Sequence, residues 1–140
     1  MSRHGIQVLN EDGAPRLPLL EGDGRFVALV WPGVGARHRS LHLISLLPGT
    51  RTVRLLHAES EAVYCAIRGC GFVLDEQTGQ EQPIAEGAMF HVTEGTPYRI
   101  RAGQRGLVCV GGPCPPDPSL YEASGVVGEP PGGIPPPVAR

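Results

Sequence analysis

Apolar and polar residues alternate in short runs along most of this chain, and turn-forming residues separate the runs. Arg25-Phe-Val-Ala-Leu-Val-Trp31 is the first strong run, closed by Pro32-Gly33, and Leu41 to Leu47 follows, closed by Pro48-Gly49. Thr52 to His57, Ala62 to Ile67, Gly71 to Leu74, Ala88 to Val92, Tyr98 to Arg101 and Leu107 to Val110 continue the series, each bounded by Gly, Pro or acidic turn residues. Runs of this length and punctuation predict β-strands joined as hairpins. Between residues 25 and 110 no segment sustains apolar positions at i, i+3, i+4 and i+7 without a breaker, so neither a helical bundle nor alternating strands and helices is supported. Short strands must bury their sheets against each other. A closed barrel or two-sheet jelly roll does this while hiding the strand edges, and its mouth is a natural ligand cavity.

The two ends differ from this pattern. Residues 1–24 are polar and turn-rich apart from Ile6, Val8 and Leu9, which predict a short edge strand followed by a connecting arm. Nine of the last 28 residues, from Pro113 onward, are proline, and Pro135-Pro136-Pro137 favours polyproline II conformation. Such a segment adds no central strand. It is expected to be either a disordered tail or an extended arm laid on the barrel or on a neighbouring subunit. The expected organisation is an N-terminal arm over 1–24, a barrel over 25–112 and a proline-rich arm over 113–140.

Composition narrows the chemistry. The 140 residues suit one domain, and Gly 20 with Pro 15 agrees with many tight turns. All 12 basic residues are arginines, so no lysine is present to form a Schiff base. The net charge is -2 and most arginines are scattered, which gives no footprint for nucleic acid. Arg37/Arg39 and Arg99/Arg101 alternate as a solvated strand face would. The amino terminus has no apolar core of signal-peptide length, and Leu41 to Leu47 is interrupted by His42 and Ser45, so a soluble cytoplasmic protein with no membrane partner is expected. Cys65, Cys70, Cys109 and Cys114 form no CxxC pair and are expected as free thiols, with Cys65 and Cys109 as small core residues.

Two stretches together resemble the cupin family. Pro48-Gly49-Thr-Arg-Thr-Val-Arg-Leu-Leu-His57-Ala-Glu59-Ser-Glu61-Ala-Val-Tyr64-Cys-Ala-Ile-Arg-Gly69-Cys-Gly71 looks like its first motif, and Glu86-Gly87-Ala-Met89-Phe-His91-Val-Thr-Glu-Gly95-Thr-Pro97-Tyr98-Arg-Ile100 like its second. Asp75-Glu-Gln-Thr-Gly79-Gln80 resembles the linker between them, and the resemblance covers roughly residues 25 to 112. It implies an all-β, cupin-type double-stranded β-helix or jelly-roll barrel. It also implies a metal cage of two histidines on one strand face, a carboxylate from the next strand and a third histidine from the second motif. Here that cage is damaged. His57 fits the second histidine, but the first position is Leu55, the carboxylate position falls on Ala62 with Glu61 one residue away, and the last histidine position is Tyr98. No cofactor is therefore expected. A divalent transition metal, if held at all, would draw on His57, Glu59, Glu61 and His91.

With the register implied by the resemblance, His57 and Tyr98 face the cavity and form an acid–base pair without metal. This is similar to the histidine and tyrosine of metal-free sugar-nucleotide epimerases, although no basic cluster for a diphosphate is present, so only the type of chemistry carries over. Tyr64 shares the inward face with Ala62 and Ala66, and Tyr64, Met89 and His91 are the expected substrate contacts. His4, His38 and His42 lack motif context and are expected to be structural. The resulting expectation is a metal-independent lyase, isomerase or cyclase acting on a small organic metabolite. The alternatives are a metal-dependent oxygenase with an unorthodox site and a non-catalytic ligand-binding or sensor module. A homodimer is expected, because Phe26, Trp31 and the proline-rich arm offer apolar area and the resemblance implies subunit pairing.

Overall fold

The computed structural model describes residues 5–122. Its strands are β1 (Leu20–Glu21), β2 (Gly24–Val30), β3 (Leu41–Leu46), β4 (Arg51–Thr52), β5 (Glu61–Asp75), β6 (Glu81–Ala85), β7 (Met89–Val92) and β8 (Tyr98–Cys114). A 3₁₀ turn spans Pro32–Val34 and a single helical turn, α1, spans Ser119–Glu122. All pairings between these strands are antiparallel. The order β1-β4-β8-β3-β2 makes one path, and β5 joins it to β6, β7 and β8, giving a barrel-like sheet of eight strands.

Two long strands build this barrel. The expected runs Ala62–Ile67 and Gly71–Leu74 are one strand, β5, and Tyr98–Arg101 and Leu107–Val110 are likewise one strand, β8. They pair from Glu61↔Cys114 to Asp75↔Tyr98, with register shifts between Ala66 and Arg68 and between Gly69 and Gly71. Bulges let a long strand bend and serve both halves of a barrel. Gly69 shows why glycine sits there: its φ is 84°, and a Cβ would lie 2.1 Å from the Gly106 carbonyl oxygen.

Alternation places Phe26 and Ala28, Ile44 and Leu46, Ala62, Tyr64 and Ala66, and Tyr98, Ile100 and Ala102 on the inner face, all buried. Each large apolar side chain buried this way stabilises the fold by about 1.5–3 kcal/mol in transfer terms. Phe26 is 1% exposed and Trp31 7%, with Trp31 against Tyr121 at a ring-centroid distance of 4.9 Å. The apolar area on which subunit pairing was expected at these two residues is thus inside their own barrel. Cys109 is a core residue, whereas Cys65 sits on the outward side of β5, half-buried; among the described residues all four cysteines are free.

Several boundaries depart from expectation. Ile6 and Val8 form no edge strand and are 84% and 88% exposed; the segment meets the rest of the molecule through the Gln7 side chain, which donates to the Val34 carbonyl. The arm is anchored later, by an Arg16↔Val27 bridge, buried Leu17, and β1 against β4. The run Thr52 to His57 is a strand only to Thr52. Beyond it the backbone pairs with β8 through the single bridge Leu55↔Tyr98. β6 was not expected, since Glu81, Gln82 and Pro83 hide its alternation. At the far end β8 runs on through Pro113 to Cys114, and residues up to Glu122 pack against the barrel; the rest of the proline-rich arm and His4 lie outside the described residues. Among the described residues no helix is long and apolar enough to cross a membrane.

Candidate functional site

The Leu55↔Tyr98 bridge organises the site. Leu55 N–H donates to the Tyr98 carbonyl at 2.8 Å and Tyr98 N–H returns a bond to Leu55 at 2.9 Å, while Gly95 N–H holds the His57 carbonyl at 2.9 Å. Two residues beyond Leu55, on the same inward side, His57 meets the Tyr98 ring. His57 Nε2 lies 2.7 Å from the Tyr98 hydroxyl, and that hydroxyl lies 2.7 Å from the Tyr64 hydroxyl. Opposite Tyr64 the paired strand carries Gly111, where a Cβ would collide with the Val63 carbonyl oxygen and with the backbone and ring of Tyr64. The sequence expectation that His57 and Tyr98 come together, with Tyr64 beside them, matches these contacts, but His57 and Tyr98 are only 2% and 1% exposed.

A fourth member comes from the segment after β8. Asp117 Oδ2 accepts from His57 Nδ1 at 2.7 Å, while its Oδ1 accepts from the Ser119 backbone N–H and hydroxyl at the start of α1. Burial opposes ionisation of Asp117, but the hydrogen bonds from His57 and Ser119 outweigh it and hold the carboxyl below its ordinary value. An ionised Asp117 accepts only, so in the neutral form of the ring Nδ1 carries the proton and Nε2 is the acceptor. Tyr98 must then donate to His57, and its oxygen is left to accept from Tyr64. With that tautomer the donors run in one direction, Tyr64 to Tyr98 to His57 to Asp117. Burial, reinforced for Tyr98 by neighbouring Tyr64 and Asp117, pushes both phenols up, so neither is a resting phenolate.

Asp117 escaped the sequence reading because Pro116 and Pro118 flank it in a segment read as an arm. The one available signal was Asp-Pro-Ser, a side-chain cap at the start of a helical turn.

Tyr98 also lines a surface groove of about 370 Å³ between β6, β7 and the loop to β8, with Val73, Asp75, Gln82, Phe90 and Thr96 among its walls. Phe90 stacks on Tyr64 at 5.1 Å between ring centroids. Met89 and His91 lie on the groove's rim rather than in the barrel interior, and Met89 is 67% exposed, because alternation along β7 turns both outward.

No family model matches the chain, and no curated protein matches it in sequence. Solved structures do. A cupin-like protein from Thermotoga maritima superposes with a TM-score of 0.63 at 16% identity, over 77% of this chain and 80% of that one. Ectoine synthase from P. lautus gives 0.63 at 17%, over 84% and 86%, and the polyketide cyclase RemF from Streptomyces resistomycificus gives 0.62 at 16%, over 84% and 93%. The fold is that of the cupins. At these identities the likeness carries the cupin architecture, and the chemistry has to be argued from residues.

The resemblance implies a metal cage that this sequence largely lacks, and the residues suggested for an unorthodox version do not converge. His57 is inside with both nitrogens engaged, Glu59 is exposed in a turn, and Glu61 pairs with His91 on the outer face, where the two are 57% and 54% exposed. Glu61 faces outward because the strand register keeps its neighbour Ala62 inward. Among the described residues no group of three or more His, Cys, Asp or Glu is placed to hold a metal ion. The donor set of the described residues does not fit one.

A second buried histidine lies nearby. His42, on the inner face of β3, has Nε2 2.7 Å from the Tyr121 hydroxyl, while its Nδ1 makes no aligned hydrogen bond. Burial, and then the charge His57 can carry, push His42 down to about 4 against the pull of the Gly111 carbonyl. His38 is exposed.

Proposed function

We propose that this cupin is a metal-independent enzyme that moves protons on a small organic molecule, of isomerase, lyase or cyclase type. The observation that supports this most is the hydrogen-bonded relay Tyr64–Tyr98–His57–Asp117, of which one member, Tyr98, also lines the groove. Both nitrogens of His57 are engaged, so a substrate proton passes through the Tyr98 oxygen. As that oxygen takes the proton, the phenolic proton moves to His57 Nε2, and the imidazolium formed is stabilised by Asp117. Reversal returns a proton to the substrate. A concerted transfer avoids the phenolate that burial disfavours. The four free cysteines suit a reducing cytoplasm.

Deuterium incorporation into a panel of enolisable aldehydes, ketones and β-keto esters, followed by proton NMR in D₂O, tests this reading. The wild type is expected to exchange at least one panel member, and His57→Gln to lose about 100-fold or more of that rate. Equal exchange by the two proteins overturns the assignment. The near-complete burial of His57 and Tyr98 favours a second reading, in which the chain is a binding or sensor module and the relay only fixes the shape of its pocket. Saturable ligand binding with no exchange above buffer selects that one.

A further inference from the structure

The groove beside Tyr98 is polar but carries little charge. Its titratable lining is Asp75, His91 and Tyr98, with Gln80, Gln82, Thr93 and Thr96 as neutral hydrogen-bonding groups, and no arginine lines it. The nearest guanidinium groups in the sheet are spoken for. Arg99 is bound to Glu76 and Glu21, Arg54 to Glu76, and Arg101 to Glu81 while lying over the Phe72 ring. His91 is tied to Glu61.

Asp75 is the exception. Its Oδ1 accepts from the backbone N–H groups of Gln77 and Thr78 and so fixes the β5–β6 turn at the groove's edge. Half-buried Phe90, backed by Tyr64, adds an aromatic wall. An anionic ligand would enter here with no cation to meet it and a carboxylate to repel it, whereas a neutral or cationic one meets hydrogen-bonding amides and hydroxyls and a single negative charge.

We propose that this groove takes neutral or positively charged molecules that combine an aromatic or apolar face with hydroxyl or amino groups, and excludes carboxylates and phosphates, Asp75 being the specificity determinant. This rests on the groove and the relay forming one site.

Three probes that share a 4-hydroxyphenyl group separate the classes: tyramine as cation, tyrosol as neutral alcohol and 4-hydroxyphenylacetate as anion. Each is titrated into the full chain at pH 8, above the ordinary imidazole range, and followed through the backbone amide signals of Gln82, Phe90 and Thr96. Tyramine is expected to bind at least about fivefold tighter than 4-hydroxyphenylacetate, with tyrosol between them. In Asp75→Asn, which keeps the Oδ1 acceptor and hence the turn, the tyramine advantage is expected to fall below about twofold, and Asp75→Arg is expected to admit the anion. The proposal is overturned if the anion binds as tightly as the cation, if the order persists in Asp75→Asn, or if no probe shifts these signals at millimolar concentration. The relay and the groove fail separately: loss of deuterium exchange with the probe order intact removes the acid–base reading alone, and a wrong order with exchange intact removes this one alone.

Discussion

Two histidines lie inside the barrel, and the short segment after β8 touches both, but it gives them opposite electrostatics. His57 receives a carboxylate from Asp117 at one nitrogen and a phenol from Tyr98 at the other. His42 receives only the Tyr121 phenol, and its Nδ1 has no aligned partner. Burial is nearly the same for the two rings. What differs is whether a counter-charge was brought in with the imidazole, and that decides which ring can hold a proton inside the barrel. His57 has a carboxylate beside it, whereas His42, with none, stays neutral.

The largest effect expected from this contrast comes from acid. Between the ordinary histidine value near 6.5 and about 4, the unfolded chain takes up a proton at residue 42 that the folded chain refuses. Stability is therefore intact above the unfolded value and is lost as pH falls toward the folded one, by about 3 kcal/mol in all. Asp117, whose carboxyl is held down in the folded chain, adds a loss of the same sign only within the carboxylate range. Urea unfolding stepped from pH 7 down to the top of that range isolates His42. In His42→Gln the slope of stability against pH should flatten, and an unchanged slope would mean that His42 is not the group being titrated.

A middle-sized effect is expected at Asp117, where two substitutions separate charge from packing. Asp117→Ala leaves Nδ1–H of a buried ring without an acceptor and is expected to cost about 2 kcal/mol in unfolding free energy. Asp117→Asn can keep Oδ1 on Ser119 while presenting an amide N–H to His57, so the ring must adopt the other tautomer, with Nε2–H donating to Tyr98. That reverses the relay: Tyr98 then donates to Tyr64, and no route remains for a proton to reach Nε2. Stability should change by less than about 1 kcal/mol while deuterium exchange falls as far as in His57→Gln. Long-range ¹⁵N correlations of the His57 ring read the tautomer directly, and retention of Nδ1–H in Asp117→Asn would contradict the proposed direction.

These residues also show what a sequence can carry. Strands β2, β3, β5, β7 and β8 were legible because alternation and Gly/Pro punctuation report on local geometry, and so was the meeting of His57 with Tyr98, because both sit within the two motif-like stretches. The single bridge at Leu55, the bulges that merge four expected runs into β5 and β8, and the docking of Asp117 and Tyr121 onto His57 and His42 were not legible. Each depends on a contact between residues far apart in the chain, and a proline-rich composition says nothing about where such a segment comes to rest. The residues suggested for a metal stay apart for a related reason: His57 and Glu61 are close in sequence, but the turn at Ala58–Glu59 and the register of β5 send them to opposite faces.

The smallest effect sharpens the same contrast from outside. Glu61 and His91 form a carboxylate–imidazole pair with heavy-atom geometry as close as that of Asp117 and His57, yet both partners are more than half exposed. Water and salt screen that pair, and each partner is already well solvated alone, so it is expected to contribute no more than about 0.5 kcal/mol. Glu61→Gln should move the unfolding midpoint barely beyond error, and what it does move should vanish in high salt. A loss comparable to that of Asp117→Ala would mean that this outer face of β5 and β7 is covered in solution, because only removal from water makes a carboxylate–imidazole pair matter that much.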